Sequence, residues 1–291
     1  MKLKVLLLFP IFIFVLTGCQ EIFSGGKGKI VYHNYFPSAY VAERNIEVWL
    51  PPKYDHGKEY DVIYIHDGQN VFNAETSYAG IAWEMDSTMN DLVRKGKIRP
   101  AIVVAIWNTP DRFREYMPFQ PREPLLAIKQ AMGIEEDLLS DEYLKFIVKE
   151  LKPFIDKNYS TKKDPANTFI MGSSMGGLIS LYAVMEYPEI FGGAGCISTH
   201  WPAVDGIFIE HLPGNLPNPD THKMYFDHGT INLDSLYQPM QERVDMIVEA
   251  HGFFKDQNWM SLKFEGADHN EASWRDRLHE PLIFLLGKEQ D

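Results

Sequence analysis

Cysteine is scarce in this sequence: only Cys19 and Cys196 occur among its 291 residues. Exported proteins often carry disulfides, but Cys19 lies in an N-terminal segment for which we predict a different role. We therefore predict no internal disulfide. Cys196 lies in the apolar stretch 193–197 and is interpreted as a small residue of the core.

Basic residues are too few to balance the acids. The chain has 28 Lys and Arg against 40 Asp and Glu, a net charge of −12. Loss of Lys2 and Lys4 with a signal segment would leave 26 basic residues against the same 40 acids, a mature charge of −14. Such a balance disfavours binding to nucleic acid and electrostatic adhesion to anionic lipid. We expect no nucleic-acid partner.

Metal-ligand clusters and phosphate-binding loops are missing as well. No group of His, Cys, Asp and Glu shows the spacing of a metal site, and no glycine-rich loop has the phosphate-binding pattern. We therefore predict neither a metal nor a cofactor.

The apolar run near the N-terminus falls short of a membrane span. It covers residues 5–15, is interrupted by Pro10, and is too short to cross a bilayer as a helix. Leu-Thr-Gly-Cys follows at 16–19 and resembles the bacterial lipobox, in which the cysteine is lipidated after cleavage in front of it. An ordinary secretory signal and an uncleaved anchor are the alternatives.

These features predict an exported protein. Residues 1–18 would be a lipoprotein signal peptide, Cys19 the lipidation site, and residues 19–29 a flexible glycine-containing tether. The lipid would hold the chain to a bacterial membrane, at the periplasmic face or the cell surface, and would be its only membrane contact.

The most informative stretch is Gly172-Ser-Ser174-Met-Gly176. It follows a short apolar strand at 168–171 and precedes a helical pattern at 178–187. A strand, a tight turn with small flanking residues and a helix make up a nucleophile elbow, which exposes one side chain. We predict that this side chain is Ser174. A flexible Gly-Ser linker is disfavoured by the apolar residues on both sides.

Strands and helices alternate along most of the chain. This alternation predicts an α/β fold, a doubly wound and mostly parallel sheet with antiparallel N-terminal strands. Residues 108–140 are interpreted as a long irregular loop at the rim of the site. Its candidate contacts are Arg112, Arg114, Glu115 and Tyr116, and a surface ion-pair network is the alternative role for these residues. Predicted strands are 30–35, 45–50, 61–66, 100–106, 168–171, 193–198, 223–228 and 259–264, and predicted helices are 83–95, 140–158, 178–187, 236–251 and 274–286.

A serine nucleophile needs a base, and a base needs a carboxylate to orient it. Among ten histidines, His269 is the preferred base because it lies in a polar loop after the last strand, although His200 and His228 also follow strands. In this architecture the acid lies between the serine and the histidine in chain order. We prefer Asp234 as the acid, with Asp227 as second choice.

An oxyanion hole requires two backbone N–H donors. One would be the N–H of Met175, the residue after the nucleophile. The loop Asp67-Gly68-Gln69 follows the strand 61–66, and we choose Gln69 as the second donor.

Together, Gly172–Gly177, Asp67-Gly68-Gln69, Gly229-Thr230 and Asp268-His269 resemble the Putative esterase family of α/β-hydrolases. That family includes esterase D-like enzymes, feruloyl and acetyl-xylan esterases, enterochelin-type siderophore esterases and mycolyltransferases. The resemblance covers residues 30–287, which would form one α/β-hydrolase domain. It implies the same nucleophile, base and oxyanion donors, but the longer loop after Gly229-Thr230 departs from the short form of the family.

The predicted activity is that of a serine esterase that forms an acyl-enzyme. Its partner would be a small-molecule or glycan ester, such as an acyl ester of a polysaccharide, and Trp107, Trp201 and Trp274 are candidate contacts for a sugar or aromatic group. The alternatives are a siderophore-lactone esterase, an acyltransferase, or a catalytically silent glycan-binding lipoprotein. The sequence leaves the oligomeric state open.

Overall fold

The computed structural model describes residues 20–23, 28–132 and 137–288. Within them, nine strands form one sheet in the order β1-β2-β3-β5-β4-β6-β7-β8-β9. The strands are β1 Gln20–Phe23, β2 Lys29–Phe36, β3 Arg44–Leu50, β4 Asp61–Ile65, β5 Ala101–Ile106, β6 Thr168–Ser173, β7 Gly193–Ile197, β8 Lys223–His228 and β9 Trp259–Lys263.

The pairing of these strands confirms the predicted fold class. The first three strands pair antiparallel, and β3 joins β5 antiparallel. Every pair from β5 through β4 and β6 to β9 is parallel. The loops that leave the parallel strands therefore gather at one edge of the sheet, where sites of doubly wound folds form.

Helices cover both faces of the sheet. Successive residues of β4 point to opposite faces: Val62 and Tyr64 pack into one core cluster, and Ile63 and Ile65 into the other. The helices are α1 Met85–Arg94, α2 Arg112–Tyr116, α3 Arg122–Met132, α4 Ser140–Phe146, α5 Lys152–Asn158, α6 Met175–Glu186, α7 Gln238–Ala250, α8 Glu271–Arg277 and α9 His279–Leu286. In the described part of the chain, no helix has both the length and the apolar character needed to cross a bilayer.

Two local predictions were wrong. The segment 108–140, expected to be irregular, contains α2 and α3. The closing helix begins at Glu271, not at residue 274, because the Asn270 side chain accepts the N–H of Ser273 at 3.0 Å and caps its first turn. It is also divided in two at Leu278.

The helix predicted at 140–158 changes type near Pro153. Residues Ile147–Leu151 form a π-helical turn between α4 and α5, and Pro153 lies in the first turn of α5. Proline has no N–H to donate, and the first turn of a helix is where that loss is tolerated.

The predicted tether contains an edge strand. Gln20–Phe23 pairs with β2, and Gln20 is the register partner of Tyr32. Residues 24–27, the predicted signal peptide and Cys19 lie outside the described residues.

Candidate active site

Ser174 lies on a strained turn between β6 and α6. Its backbone has φ 57° and ψ −122°, a conformation that residues with a side chain rarely adopt. Its N–H donates to the carbonyl oxygen of Ile197 at 2.9 Å, which ties the turn to β7. A Cβ atom on Gly172 would lie 2.9 Å from the carbonyl carbon of Gly176, so only glycine fits there. The local sequence thus builds the elbow expected from its glycine spacing.

His269 and Asp234 meet at Ser174. His269 lies between β9 and α8, and its Nε2 is 2.9 Å from Ser174 Oγ. Its Nδ1 is 2.6 Å from Asp234 Oδ1. Asp234 belongs to a short 3₁₀ turn, Asn232–Leu236, that follows β8. Three loops from different strands therefore bring a hydroxyl, an imidazole and a carboxylate into one hydrogen-bonded chain.

The Asp234 carboxylate is buried, and both of its oxygens accept hydrogen bonds. Its Oδ2 accepts the Gly229 N–H at 2.7 Å and the Ser198 hydroxyl at 2.6 Å. Burial alone would raise the pKa of Asp234, but the hydrogen bonds from His269, Ser198 and Gly229 outweigh it, and the pKa lies below its usual value. The group therefore remains ionised beside the imidazole at neutral pH.

Asp227, the second choice for the acid, is placed elsewhere. It accepts the Tyr225 hydroxyl at 2.9 Å and an Arg277 N–H at 3.1 Å, and both side chains are buried. It makes no hydrogen bond to His269 among the described residues. Of the two acids, the structure brings only Asp234 to the imidazole.

Ser198 and Arg277 support this arrangement, although neither residue was identified from the sequence. Arg277 donates to Ser198 Oγ at 2.6 Å and lies 3.8 Å from Asp234 Oδ2. Trp274 Nε1 donates to the same Ser198 oxygen at 3.1 Å. A buried arginine on the closing helix carries no sequence signal of its own, because its partners lie far away in the chain.

The two expected oxyanion donors lie in the first turns of two helical segments near Ser174. Met175 opens α6, so its N–H has no acceptor within the helix. Gln69 lies in the 3₁₀ turn Gly68–Asn70 after β4. This turn packs tightly on β5, since a Cβ atom on Gly68 would lie 2.7 Å from the carbonyl carbon of Ala105. Gln69 and Ser174 line the same cavity.

An ion pair holds the loop that carries Gln69. Asp67 has a left-handed backbone, with φ 55°, and Arg112 donates to both of its carboxylate oxygens at 2.7 and 2.8 Å. Asn108 Nδ2 donates to the same carboxylate at 2.6 Å. Burial would raise the pKa of Asp67, but the charge and hydrogen bonds of Arg112 lower it below its usual value.

The predicted rim residues divide into two groups. Arg112 lines the cavity, whereas Arg114 pairs with Asp111 at 2.9 Å. Glu115 and Tyr116 are fully buried. Glu115 accepts Arg44 Nη1 at 2.9 Å and belongs to the core side of α2.

The cavity above Ser174 has a volume of about 480 Å³ and mixed polar and aromatic walls. Of the three candidate tryptophans, Trp274 lines it, with its ring centroid 5.0 Å from that of His269. Trp201 is buried and donates to Gln241 at 2.8 Å, and Trp107 donates to Glu47 at 3.0 Å. The lining residues are Asp67, Gln69, Asn70, Tyr78, Ala79, Asn108, Thr109, Arg112, Ser173, Ser174, His269, Glu271 and Trp274.

The residues that the structure describes contain no candidate metal site. Among them, no three His, Cys, Asp or Glu side chains are grouped closely enough to hold a metal ion.

The fold and the position of this site define an α/β-hydrolase of the esterase class. Residues 38–285 match the model of the family described as Putative esterase. The chain belongs to this family and is a carboxylic ester hydrolase.

Two sequence relatives illustrate the range of the family. Over 275 residues the chain is 25% identical to the Uncharacterized protein YbbA of Bacillus subtilis, covering 91% of this chain and 98% of that protein. Over 257 residues it is 27% identical to the Endo-1,4-beta-xylanase/feruloyl esterase of Xylanibacter ruminicola, covering 85% of this chain but 30% of the longer relative.

Solved structures show the same fold at lower identity. A ferulic acid esterase superposes with a TM-score of 0.65 at 17% identity, covering 89% of this chain and 98% of that one. The enterobactin esterase FES from Shigella flexneri superposes with a TM-score of 0.61 at 19% identity, covering 89% of this chain and 59% of that one.

Proposed function

We propose that this protein is a serine esterase in which Ser174 is the nucleophile, His269 the general base and Asp234 the acid that orients it. One observation carries the proposal: the continuous hydrogen-bonded chain from Ser174 Oγ through both nitrogens of His269 to Asp234. A serine hydroxyl is a weak nucleophile until a neighbouring base takes its proton.

The reaction would proceed through an acyl-enzyme. Ser174 Oγ attacks the ester carbonyl while its proton passes to His269 Nε2, and Asp234 stabilises the resulting imidazolium. The negative charge on the carbonyl oxygen is held by the N–H groups of Met175 and Gln69. Collapse of the intermediate releases the alcohol, which receives the proton from His269. A water molecule then attacks the acyl-enzyme while His269 takes its proton. The proton passes from His269 to Ser174 Oγ as the carboxylic acid is released.

We further propose acyl esters of polysaccharides as the substrate class. The cavity is open and combines two aromatic side chains, Tyr78 and Trp274, with polar groups such as Asn108 and Arg112. Aromatic faces with hydrogen-bonding groups suit a sugar or an aromatic acyl group better than a long alkyl chain. The likeness to a relative named as a xylanase/feruloyl esterase supports the same choice.

The test of the mechanism is Ser174→Ala. The variant should lose hydrolysis of 4-nitrophenyl acetate and labelling by a fluorophosphonate, because both need the serine oxygen. Ser173→Ala is the matched control, because the Ser173 hydroxyl takes no part in the proposed attack and its loss should leave hydrolysis and labelling in place. Unchanged turnover in Ser174→Ala would remove the proposal. Failure of the native protein on acetyl, feruloyl, longer-chain and siderophore esters, with glycan binding retained, would favour a silent binding protein.

We also propose that Cys19 anchors the protein to a bacterial membrane after export. The lipobox-like stretch at 16–19 supports this proposal. Incorporation of a labelled fatty acid should be lost in Cys19→Ala and the protein should leave the membrane fraction. Label retained by Cys19→Ala would refute the anchor.

A further inference from the structure

A second imidazole lies beside His269. His200 follows β7, and its ring centroid is 6.4 Å from that of His269. The N–H of His200 donates to the carbonyl oxygen of Ser174 at 3.1 Å. This hydrogen bond ties the backbone of His200 to the turn that carries Ser174.

Tyr237 fixes the orientation of the His200 ring. Its hydroxyl is 2.6 Å from His200 Nδ1, and the tyrosine is fully buried. Burial, and then the charge of Asp234, raise the pKa of Tyr237, so the phenol keeps its proton. Within the described ranges this hydroxyl makes no other hydrogen bond. We infer that its proton points to Nδ1, which leaves the proton of the imidazole on Nε2.

The Nε2 atom of His200 is then a fixed donor without an acceptor in the part of the chain that the structure describes. The side chain is partly exposed, and no residue of the described chain accepts a hydrogen bond from this nitrogen. Burial, and then the nearby His269 and Arg112, lower the pKa of His200, so the ring is neutral at neutral pH. A neutral, oriented N–H beside the His269 ring is suited to a hydroxyl oxygen.

The position of His200 identifies the part of the substrate that it would meet. The cavity is lined mostly by residues of the loops after β4 and β5, together with His269, whereas His200 does not line it. In the sheet, β4 lies on one side of β6, which leads to Ser174, and β7, which leads to His200, lies on the other. His269 must give its proton to the leaving alcohol oxygen, so the alcohol lies next to His269. With the acyl group in the cavity, the alcohol would extend past His200.

We propose that Nε2–H of His200 binds a hydroxyl group adjacent to the ester oxygen on the leaving alcohol, and so selects esters of sugars and other polyols. The inference rests on the proposed serine-esterase mechanism. It concerns the alcohol side of the substrate, which the likeness to other esterases leaves open. No bond other than the hydrolysed ester changes.

The test compares two substrates with the same acetyl group. One is an acetylated methyl glycoside with a free hydroxyl next to the ester, and the other is the matching deoxy sugar. The native enzyme should favour the first by about 3- to 10-fold in kcat/KM, the range expected for one neutral hydrogen bond. In His200→Leu the ratio should fall to about one, and His200→Gln, which keeps an N–H donor, should restore part of it.

Controls separate recognition from folding and from the mechanism itself. His56→Leu makes the same substitution in the connection before β4 and should keep the native ratio. Tyr237→Phe removes the partner that orients the ring and should lower the ratio without changing His200. A native ratio of one, or a ratio unchanged in His200→Leu, would overturn the inference. If 4-nitrophenyl acetate is still hydrolysed, the proposed serine-esterase function survives that result, whereas inactivity of the native enzyme on every ester would remove both.

Discussion

Replacement of Asp234 by asparagine tests the site most directly. Asp234 Oδ2 accepts two donors, the Gly229 N–H at 2.7 Å and the Ser198 hydroxyl at 2.6 Å. An asparagine must keep its oxygen facing them, so its NH₂ group would face His269 Nδ1. His269 would then have to accept at Nδ1 and carry its proton on Nε2. That tautomer cannot take the proton of Ser174, whose oxygen lies 2.9 Å away.

The expected loss in kcat is about 10⁴-fold, the size found when a buried acid that orients a catalytic histidine is replaced by its amide. At about 1.4 kcal/mol per factor of ten, this corresponds to about 5.5 kcal/mol of lost transition-state stabilisation. Hydrolysis of 4-nitrophenyl acetate measures the loss. Fluorophosphonate labelling should slow in parallel, because it also needs the activated serine. The thermal unfolding temperature reports whether the variant folds.

Asp227→Asn is the matched control. It removes the same charge from a carboxylate that contacts Arg277 at 3.1 Å but makes no hydrogen bond to His269 among the described residues. The Arg277 charge would remain buried with less compensation, so the unfolding free energy should fall by about 3–5 kcal/mol. Activity of the folded fraction should stay within about tenfold of the native value. If Asp234→Asn kept native turnover while folded Asp227→Asn lost it, the assignment of the acid would be wrong.

Three further predictions concern other parts of the site and the sheet. Gly172→Ala should lower the unfolding free energy measured in urea by at least about 1–3 kcal/mol, because its Cβ would lie 2.9 Å from Gly176; native stability would contradict this. Arg112→Lys should lower kcat by about tenfold, because lysine cannot hold both Asp67 oxygens and fix the Gln69 loop; an unchanged kcat would count against that role. Burial raises the pKa of Glu47 to about 7, despite a hydrogen bond from Trp107. The folded state then binds this proton more tightly than the unfolded state, so the free energy of unfolding should fall by about 3 kcal/mol between about pH 4.5 and 7, and Glu47→Gln should remove this fall.

Local patterns were enough to predict most of the fold. Residues 62–65 and 101–106 are apolar throughout, and both stretches lie in strands that pair parallel with each other and are buried on two faces. The long segment 108–140 was misread because its four prolines suggested irregular chain. In the structure α2 lies between Pro110 and Pro118, and Pro124 lies in the first turn of α3, where a proline is tolerated. Short helices such as α2 depend on packing against neighbours more than on their own propensity, so sequence pattern predicts them poorly.

The candidate aromatic contacts show where pattern stops being informative. Trp107, Trp201 and Trp274 all lie near predicted loop ends, yet of these three only Trp274 lines the cavity. Trp201 is buried against Gln241 instead. Which tryptophan faces the substrate depends on the direction of each side chain, and that direction is set by packing between segments distant in the chain.

The sequence by itself determined the class of fold and the strained turn at Ser174, because such an elbow is a local structure: a Cβ atom on Gly172 would lie 2.9 Å from the carbonyl carbon of Gly176. The tertiary structure alone decided which carboxylate reaches His269, and it alone revealed the contacts of Ser198 and Arg277 with that carboxylate and the position of the His200 ring beside the imidazole. The contacts of His269 with Asp234 and Ser174 join residues 35 and 95 positions apart in the chain. Chain order restricts the candidates for such contacts, but only the packed sheet sets the distances.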